Sequence, residues 1–458
     1  MVRCSLSLLP WLLAALPAQG LGDKVDELAR PLIAAEVAVG FVVGVIDGDT
    51  EFVRGYGVLA RGKDGAPTGD TLFEIGSISK VFTGLLLADA VERGLCKLDD
   101  PVQQFLPDDV VLHTWHDQPV LLWHLSTHTS GLPRLPDMAG SDPQDPYAHF
   151  DEARFHAALG EVPVRWEPGS KYEYSNLAVG LLGHVLVRKH GAASYDALLH
   201  DVITGPLQMR DTAVVLEPQL RERLAPPHDG DGAPAHTWDL AQLAGAGGIR
   251  SSVRDMLKFA RLQLAPGDAA LAKAVALSQQ KRHDGANGIH MGLGWHFARD
   301  GMTRMHSGQT GGYHGFLGLV PGKGRAVCVL GNTAGGAIDA VGERILQHLF
   351  GIAVQPPEHE TPVAVDRALL QRLVGRYRMS PAVHFDIVLG ERGLSAQLTG
   401  QSALRIHPRS PTEFFYRAVV ASLTFELEGE TVKALVLHQN GRDTRCRRLD
   451  EPGKEPPK

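Results

Sequence analysis

Strand-like runs stand at both ends of one long stretch of this chain, with helical sequence between them. The alternating runs "VAVGFVVGVID" and "TEFVRGYGVLA" meet around Asp47-Gly48-Asp49, and an Asp-Gly turn between two such runs is a hairpin signal. Ahead of them, Asp23 to Ala35 reads as a helix. From Ser79 to about Gly94 apolar residues fall at helical spacing, and helices broken by Gly and Pro continue through the middle. Strand-like runs come back at Leu293 to Phe297, Tyr313 to Val320 and Arg325 to Leu330, followed by a helix from about Ala337 to Phe350. That order predicts an α+β fold in which an antiparallel sheet, flanked by helices, is assembled from both chain ends around an inserted all-helical region.

A second, smaller unit follows. "VQPPEHETP" is a Pro-rich, charged linker, assigned to residues 354–364, and it separates a large domain over 21–353 from a small one over 365–450. The small one opens with a short helix, Arg367 to Val374. Short alternating segments then run at His384 to Leu389, Leu394 to Leu398, Glu413 to Tyr416, Ser422 to Leu427 and Val432 to His438, which predicts a small antiparallel β-barrel or curved sheet. The tail 451–458, "EPGKEPPK", is expected to be disordered.

Residues 1–20, "MVRCSLSLLPWLLAALPAQG", carry one Arg, an apolar stretch broken by Pro10, and small residues at Ala18 and Gly20. This reads as a signal peptide, with a retained anchor as the alternative, and no later segment is apolar enough to span a bilayer. Cys4 would leave with it, and Cys96, Cys328 and Cys446 are too few and too scattered for a disulfide framework or a metal spacing, so they read as packing residues. Export with so few cysteines fits a bacterial periplasm or exterior. The net charge of −7, without long runs of one sign, lacks the basic stripe that nucleic acid requires.

The chemistry centres on "GSISK", Gly76 to Lys80, between an extended run and a helical one. If the helix starts near Ser77, a spacing of three sets Lys80 one turn on, beside the serine hydroxyl. Serine needs a base, and a partly desolvated lysine can serve. By itself the pair is common by chance. Two companions change that: "YEYSN" supplies Tyr174-Ser175-Asn176 ahead of an apolar helix, and "HSGQTGGYHG" supplies His306-Ser307-Gly308 at a Gly-rich strand edge.

In this order the three elements resemble the motifs of serine β-lactamases and penicillin-binding proteins, most closely the class C β-lactamase-like branch with its Tyr-x-Asn. "FEIGSISKVFTGLLLADAVERG", "LSTHTSGLP", "PGSKYEYSNLAVGLLG", "GPLQMRDT" and "AGAGGIRSSVRDMLKF" extend the likeness from about Val25 to Phe350. The resemblance implies Ser77 as acylated nucleophile, Lys80 as its proton partner, and Tyr174 as base or leaving-group acid, its phenolate favoured by Lys80. It further implies Asn176 orienting a substrate amide, the backbone N–H groups of Ser77 and Gln309 as oxyanion hole, and His306, Ser307 and Gly308 as the substrate-binding third motif. The family usually has lysine where this chain has His306. An imidazole with a pKa near ~6.5 is mostly neutral at neutral pH. If its charge held a substrate carboxylate, activity would fall as pH rises through roughly 6 to 7. Tyr172, with no Asn two residues on, is expected to pack.

"HLSTH", His124 to His128, has zinc-helix spacing but no glutamate after the first histidine, and no metal or cofactor is expected. The absence of Gly-x-Ser-x-Gly argues against an α/β-hydrolase elbow. The loop Pro136 to Asp151 is expected to shape substrate choice near the cleft. The expected function is an exported serine hydrolase opening β-lactam or D-alanyl peptide amides of small-molecule or peptidoglycan-derived substrates. A small-acyl esterase on the same fold is the alternative, and a non-catalytic sensor a third reading.

Overall fold

The computed structural model describes residues 18–449 apart from 286, 287, 400–402, 418, 420 and 440. Most of the expected signal peptide and all of the tail from 451 lie outside them.

Ten strands belong to the large domain: β1 Gly40–Asp47, β2 Thr50–Gly57, β3 Leu72–Glu74, β4 Arg250–Ser252, β5 His283–Asp284, β6 His290–Met291, β7 His296–Phe297, β8 Arg304–Gln309, β9 His314–Val320 and β10 Arg325–Gly331. Eight form one sheet in the order β2-β1-β10-β9-β8-β7-β6-β5, while β3 and β4 pair separately. The sheet is thus built from both chain ends, as expected. Its central pairing sets β1 antiparallel to β10, from Phe41 opposite Gly331 to Asp47 opposite Arg325. At that end the Arg325 guanidinium donates to Asp47 at 2.9 Å, across 278 residues of sequence.

Both faces of this sheet are covered, so β1 is buried at every position. Its alternate side chains go to opposite sides. Phe41, Val43 and Val45 pack with α1 (Ala18–Ala34) and the late helix Ala337–Leu349, while Val42 and Ile46 join the core of the helical region. That region contains α2 (Ser79–Glu92), α3 (Leu122–Ser126), α4 (Glu152–Glu161) and α5 (Asn176–His190). Helix α2 is buried from Ser79 to Ala90, which explains why its sequence is apolar all round rather than striped. Cys96, Cys328 and Cys446 are buried free thiols. Among the described residues no helix is long and apolar enough to cross a membrane.

The strand expected over Leu293 to Phe297 shrinks to β7. Gly294 turns the chain with φ +75°, and a Cβ there would lie 2.3 Å from the Lys80 carbonyl oxygen. Close passage over α2 therefore takes the place of pairing.

After Val354 the chain crosses to a closed barrel of β11 Gly375–Ser380, β12 Val383–Gly390, β13 Gly393–Leu398, β14 Leu404–Pro408, β15 Glu413–Tyr416, β16 Ala421–Glu428, β17 Thr431–Gln439 and β18 Arg442–Arg448. Five of these strands match expected segments, and β11, β14 and β18 do not. In β18 only Cys446 is buried among exposed or half-exposed arginines, Asp443 and Thr444, so charge masked the alternation. The barrel holds the loop after Ala225 through His407, which meets Asp231 at 2.8 Å, and through Arg392 on Asp229.

Candidate active site

Strand β3 delivers the chain to a one-turn 3₁₀ helix, Gly76–Ile78, that runs directly into α2. Ser77 sits in this turn. Two glycines let β8 lie against it. Gly76 has φ +51°, and a Cβ there would come 2.6 Å from the Gln309 backbone nitrogen. A Cβ on Gly308 would come 1.9 Å from the Ile75 carbonyl oxygen and 2.8 Å from the Ser77 nitrogen. The backbone amides of Ser77 and Gln309 therefore belong to two segments in direct contact.

Lys80, in the first turn of α2, is fully buried. Its Nζ lies 2.9 Å from Ser77 Oγ and donates to the Ala246 carbonyl at 2.5 Å. Burial, helped by the Arg134 charge, pushes this amine well below the usual lysine range. No carboxylate among the described residues pairs with it.

Tyr174 and Asn176 flank Ser175, whose hydroxyl caps α5 by accepting from Ala178 N at 2.9 Å and donates to Pro133 O at 2.6 Å. The Tyr174 hydroxyl is hydrogen-bonded to Ser77, yet burial dominates and pushes the phenol up to about 12. Lys80 Nζ stands over the Tyr174 ring face, 4.9 Å from its centroid, rather than at the oxygen as a charge partner. This favours the protonated phenol, and so the leaving-group acid of the two roles, base or acid, that the resemblance implies. Asn176 is hydrogen-bonded to the Tyr147 hydroxyl, while its Oδ1 is buried without a partner.

On β8, His306 Nδ1 donates to the Ser307 carbonyl at 2.6 Å, which leaves Nε2 as a buried acceptor without a partner. Burial and the neighbouring His296 and Lys80 hold His306 well below the usual imidazole range. This weighs further against a charged imidazole at a position where histidine was already expected to be mostly neutral. Ser77, Tyr174, Asn176, His306, Ser307, Gly308 and Gln309 line one cleft, with Lys80 beneath it.

The beta-lactamase family profile matches residues 25–351. The chain belongs to the beta-lactamase family. It is 28% identical over 323 residues to the D-alanyl-D-alanine-carboxypeptidase/endopeptidase AmpH of Escherichia coli (strain K12), covering 66% of this chain and 81% of that protein. Penicillin-binding protein 4 of Amycolatopsis lactamdurans is 30% identical over 355 residues, covering 72% and 91%. A solved structure described as a beta-lactamase/D-alanine carboxypeptidase from Yersinia pestis complexed with citrate superposes with a TM-score of 0.62 at 26% identity, covering 73% of this chain and all of that one.

Several residues of this beta-lactamase family cleft were not singled out from sequence. Arg134 lines it beside Tyr174, its guanidinium 5.1 Å from the ring centroid. It is exposed and has no ion pair among the described residues. The quoted "LSTHTSGLP" stops one residue short of it. Tyr147, from the loop expected to shape the cleft, and Trp238 line the same wall with rings 5.4 Å apart. His314 bonds Gln309 Oε1 at 3.1 Å and Asp339 at 2.8 Å, which fixes the Gln309 side chain. Tyr172, expected only to pack, meets His296 Nε2 through its hydroxyl at 3.1 Å. His124 and His128 do not share a helix face, because α3 ends at Ser126 and His128 takes φ +59°. No described barrel residue lines the cleft.

Proposed function

We propose that this chain is an exported serine hydrolase that opens carboxylate-bearing amides, of β-lactam or D-alanyl peptide type, through an acyl-enzyme on Ser77. The observation that carries the reading is the buried Lys80 amine against Ser77 Oγ. A neutral amine has one lone pair and two protons. One N–H goes to the Ala246 carbonyl, leaving the lone pair free for the Ser77 proton as Oγ attacks. The oxyanion forms against the backbone N–H groups of Ser77 and Gln309. Tyr174, neutral and hydrogen-bonded to Ser77, is suited to give its proton to the leaving nitrogen and regain one from Lys80. Asn176 Oδ1, free and buried, accepts from the substrate amide N–H. The relatives named as carboxypeptidase and penicillin-binding protein support the substrate class.

The direct test is a fluorescent penicillin followed by mass mapping of the adduct, with hydrolysis of penicillin, D-alanyl-D-alanine peptide and nitrophenyl ester in parallel. An adduct on Ser77 with turnover of the amides is expected. Labelling without any turnover would indicate a sensor, and turnover of esters alone an esterase. Sequencing the mature N-terminus from the producing cell tests export.

With His306 neutral, Arg134 is the cation left to hold a substrate carboxylate. Arg134→Ala is expected to lower kcat/KM about 30- to 100-fold on carboxylate-bearing substrates, the scale of one charge-assisted hydrogen bond, and by less than about threefold on neutral esters. Equal losses on both would mean that Arg134 only supports the Tyr174 ring.

The pH profile follows from the same assignment. Lys80 acts as the base when deprotonated, and its pKa is depressed, so kcat/KM should fall on the acid side as Lys80 takes up a proton. That limb should be shared by carboxylate and ester substrates. A loss between pH ~6 and 7 on the rising side, confined to carboxylate substrates, would restore His306 as a charged ligand.

A further inference from the structure

Outside the residues that line the cleft, α4 and α5 bring together three groups that the proposed hydrolysis does not use. His156 and His184 approach with Nε2 atoms 3.2 Å apart. Glu152, one turn before His156, has Oε1 3.9 Å from His156 Nε2. All three donor atoms lie within 4.8 Å of one another.

Two imidazole nitrogens bound at ~2.0–2.1 Å to one tetrahedral zinc lie about 3.3 Å apart, so the histidine pair already has the spacing of two ligands of one ion. His184 Nδ1 faces Gln242 Oε1 at 3.4 Å. A side-chain carbonyl at Nδ1 assigns the proton there and leaves the Nε2 lone pair aimed at His156. This is the outer partner that a metal-binding histidine needs. His184 is buried, His156 is mostly covered, and Glu152 is exposed, so the site has a closed back and an open front. Glu152 can swing the remaining distance because its side chain is 59% exposed.

We propose that Glu152, His156 and His184 bind a zinc ion, with water in the fourth position, and that this ion fastens α4 to α5. Helix α5 begins with Asn176, and α4 follows the loop carrying Tyr147, so the ion would link the elements that carry these two cleft residues. Gln242, which backs His184, also donates its backbone N–H to Phe150 O at the end of that loop. The spacing was invisible along the sequence because His184 lies far from the Glu152-to-His156 turn.

The test titrates ZnCl2 into the chelator-treated, tag-free full chain by calorimetry, with Co²⁺ as optical probe. One equivalent is expected with Kd below about 10 μM, together with the intense visible bands of tetrahedral Co²⁺. His156→Ala, at a part-exposed position, should weaken that equivalent at least about 30-fold, and Gln242→Ala about tenfold, as loss of an outer partner does. Zinc should raise Tm in the parent chain and not in His156→Ala. Circular dichroism of the metal-free variants checks that the fold is kept. His184→Asn provides a second removal of the site. Zinc binding of unchanged affinity and stoichiometry in both histidine variants would assign it to other histidines and overturn the proposal. So would no binding up to about 100 μM zinc.

Discussion

Ser77→Ala is expected to abolish covalent labelling by penicillin and to cut turnover by about four orders of magnitude, with Tm unchanged within roughly 1 °C. The stability half of this expectation comes from where the hydroxyl goes. A serine at a helix start ordinarily caps it, and removal costs about 1 kcal/mol. Here neither the 3₁₀ turn nor α2 takes a side-chain cap. The Ser77 hydroxyl is directed to Lys80 and Tyr174 instead. The kinetic half follows from the proposed acyl-enzyme, which has no substitute oxygen. Activity near that of the parent in the alanine variant, measured with the active-site label as a control for contamination, would refute the nucleophile assignment.

Removing the proton carriers should be nearly as severe. Lys80→Ala and Tyr174→Phe are each expected to lower kcat by about 10³-fold or more, and the double variant by little more than the worse single one, because groups that act as a unit are not additive. The reason is geometric. Lys80 and Tyr174 both contact the same serine oxygen, so losing either interrupts one path for one proton. If the double variant multiplied the two single losses, the residues would act in separate steps. Lys80→Ala carries a further check. It removes a buried amine and leaves the Ala246 carbonyl without that donor, so some loss of Tm should accompany the kinetic loss, whereas Tyr174→Phe keeps the ring packed on His128 at 4.3 Å.

Much of the framework was legible because it rests on local periodicity. The hairpin around Gly48 and the late helix bury recognisable patterns, the apolar run of α2 is long enough to mark a helix buried on all sides, and the Ser-Lys and Tyr-x-Asn spacings survive translation into three dimensions. What stayed hidden depends on surroundings. The strong downward pull on the His306 imidazole comes from full enclosure beside His296 and Lys80, neither adjacent in sequence. Likewise the choice between base and leaving-group acid at Tyr174 was open, and burial, which outweighs the Ser77 hydrogen bond and the Arg134 charge, favours the protonated form. Arg134 carries no motif of its own, and its meaning arises only from having no carboxylate partner while facing Tyr174. In the barrel, β14 and β18 escaped because arginines on the outer face interrupt the apolar count, although Ile406 and Cys446 point inward as the pleat requires.

The pairing of β1 with β10 also sets a schedule for synthesis. At translation rates of ~5–20 residues per second, the interval between the emergence of Asp47 and that of its partner Arg325, 278 residues later, is on the order of tens of seconds. Throughout that interval the first hairpin has a largely apolar strand with an open edge and no neighbour to close it. A nascent chain in this position depends on being kept from other chains, and a message cut short before β10 yields a product that cannot complete its central sheet, however intact its Ser77 and Lys80 are.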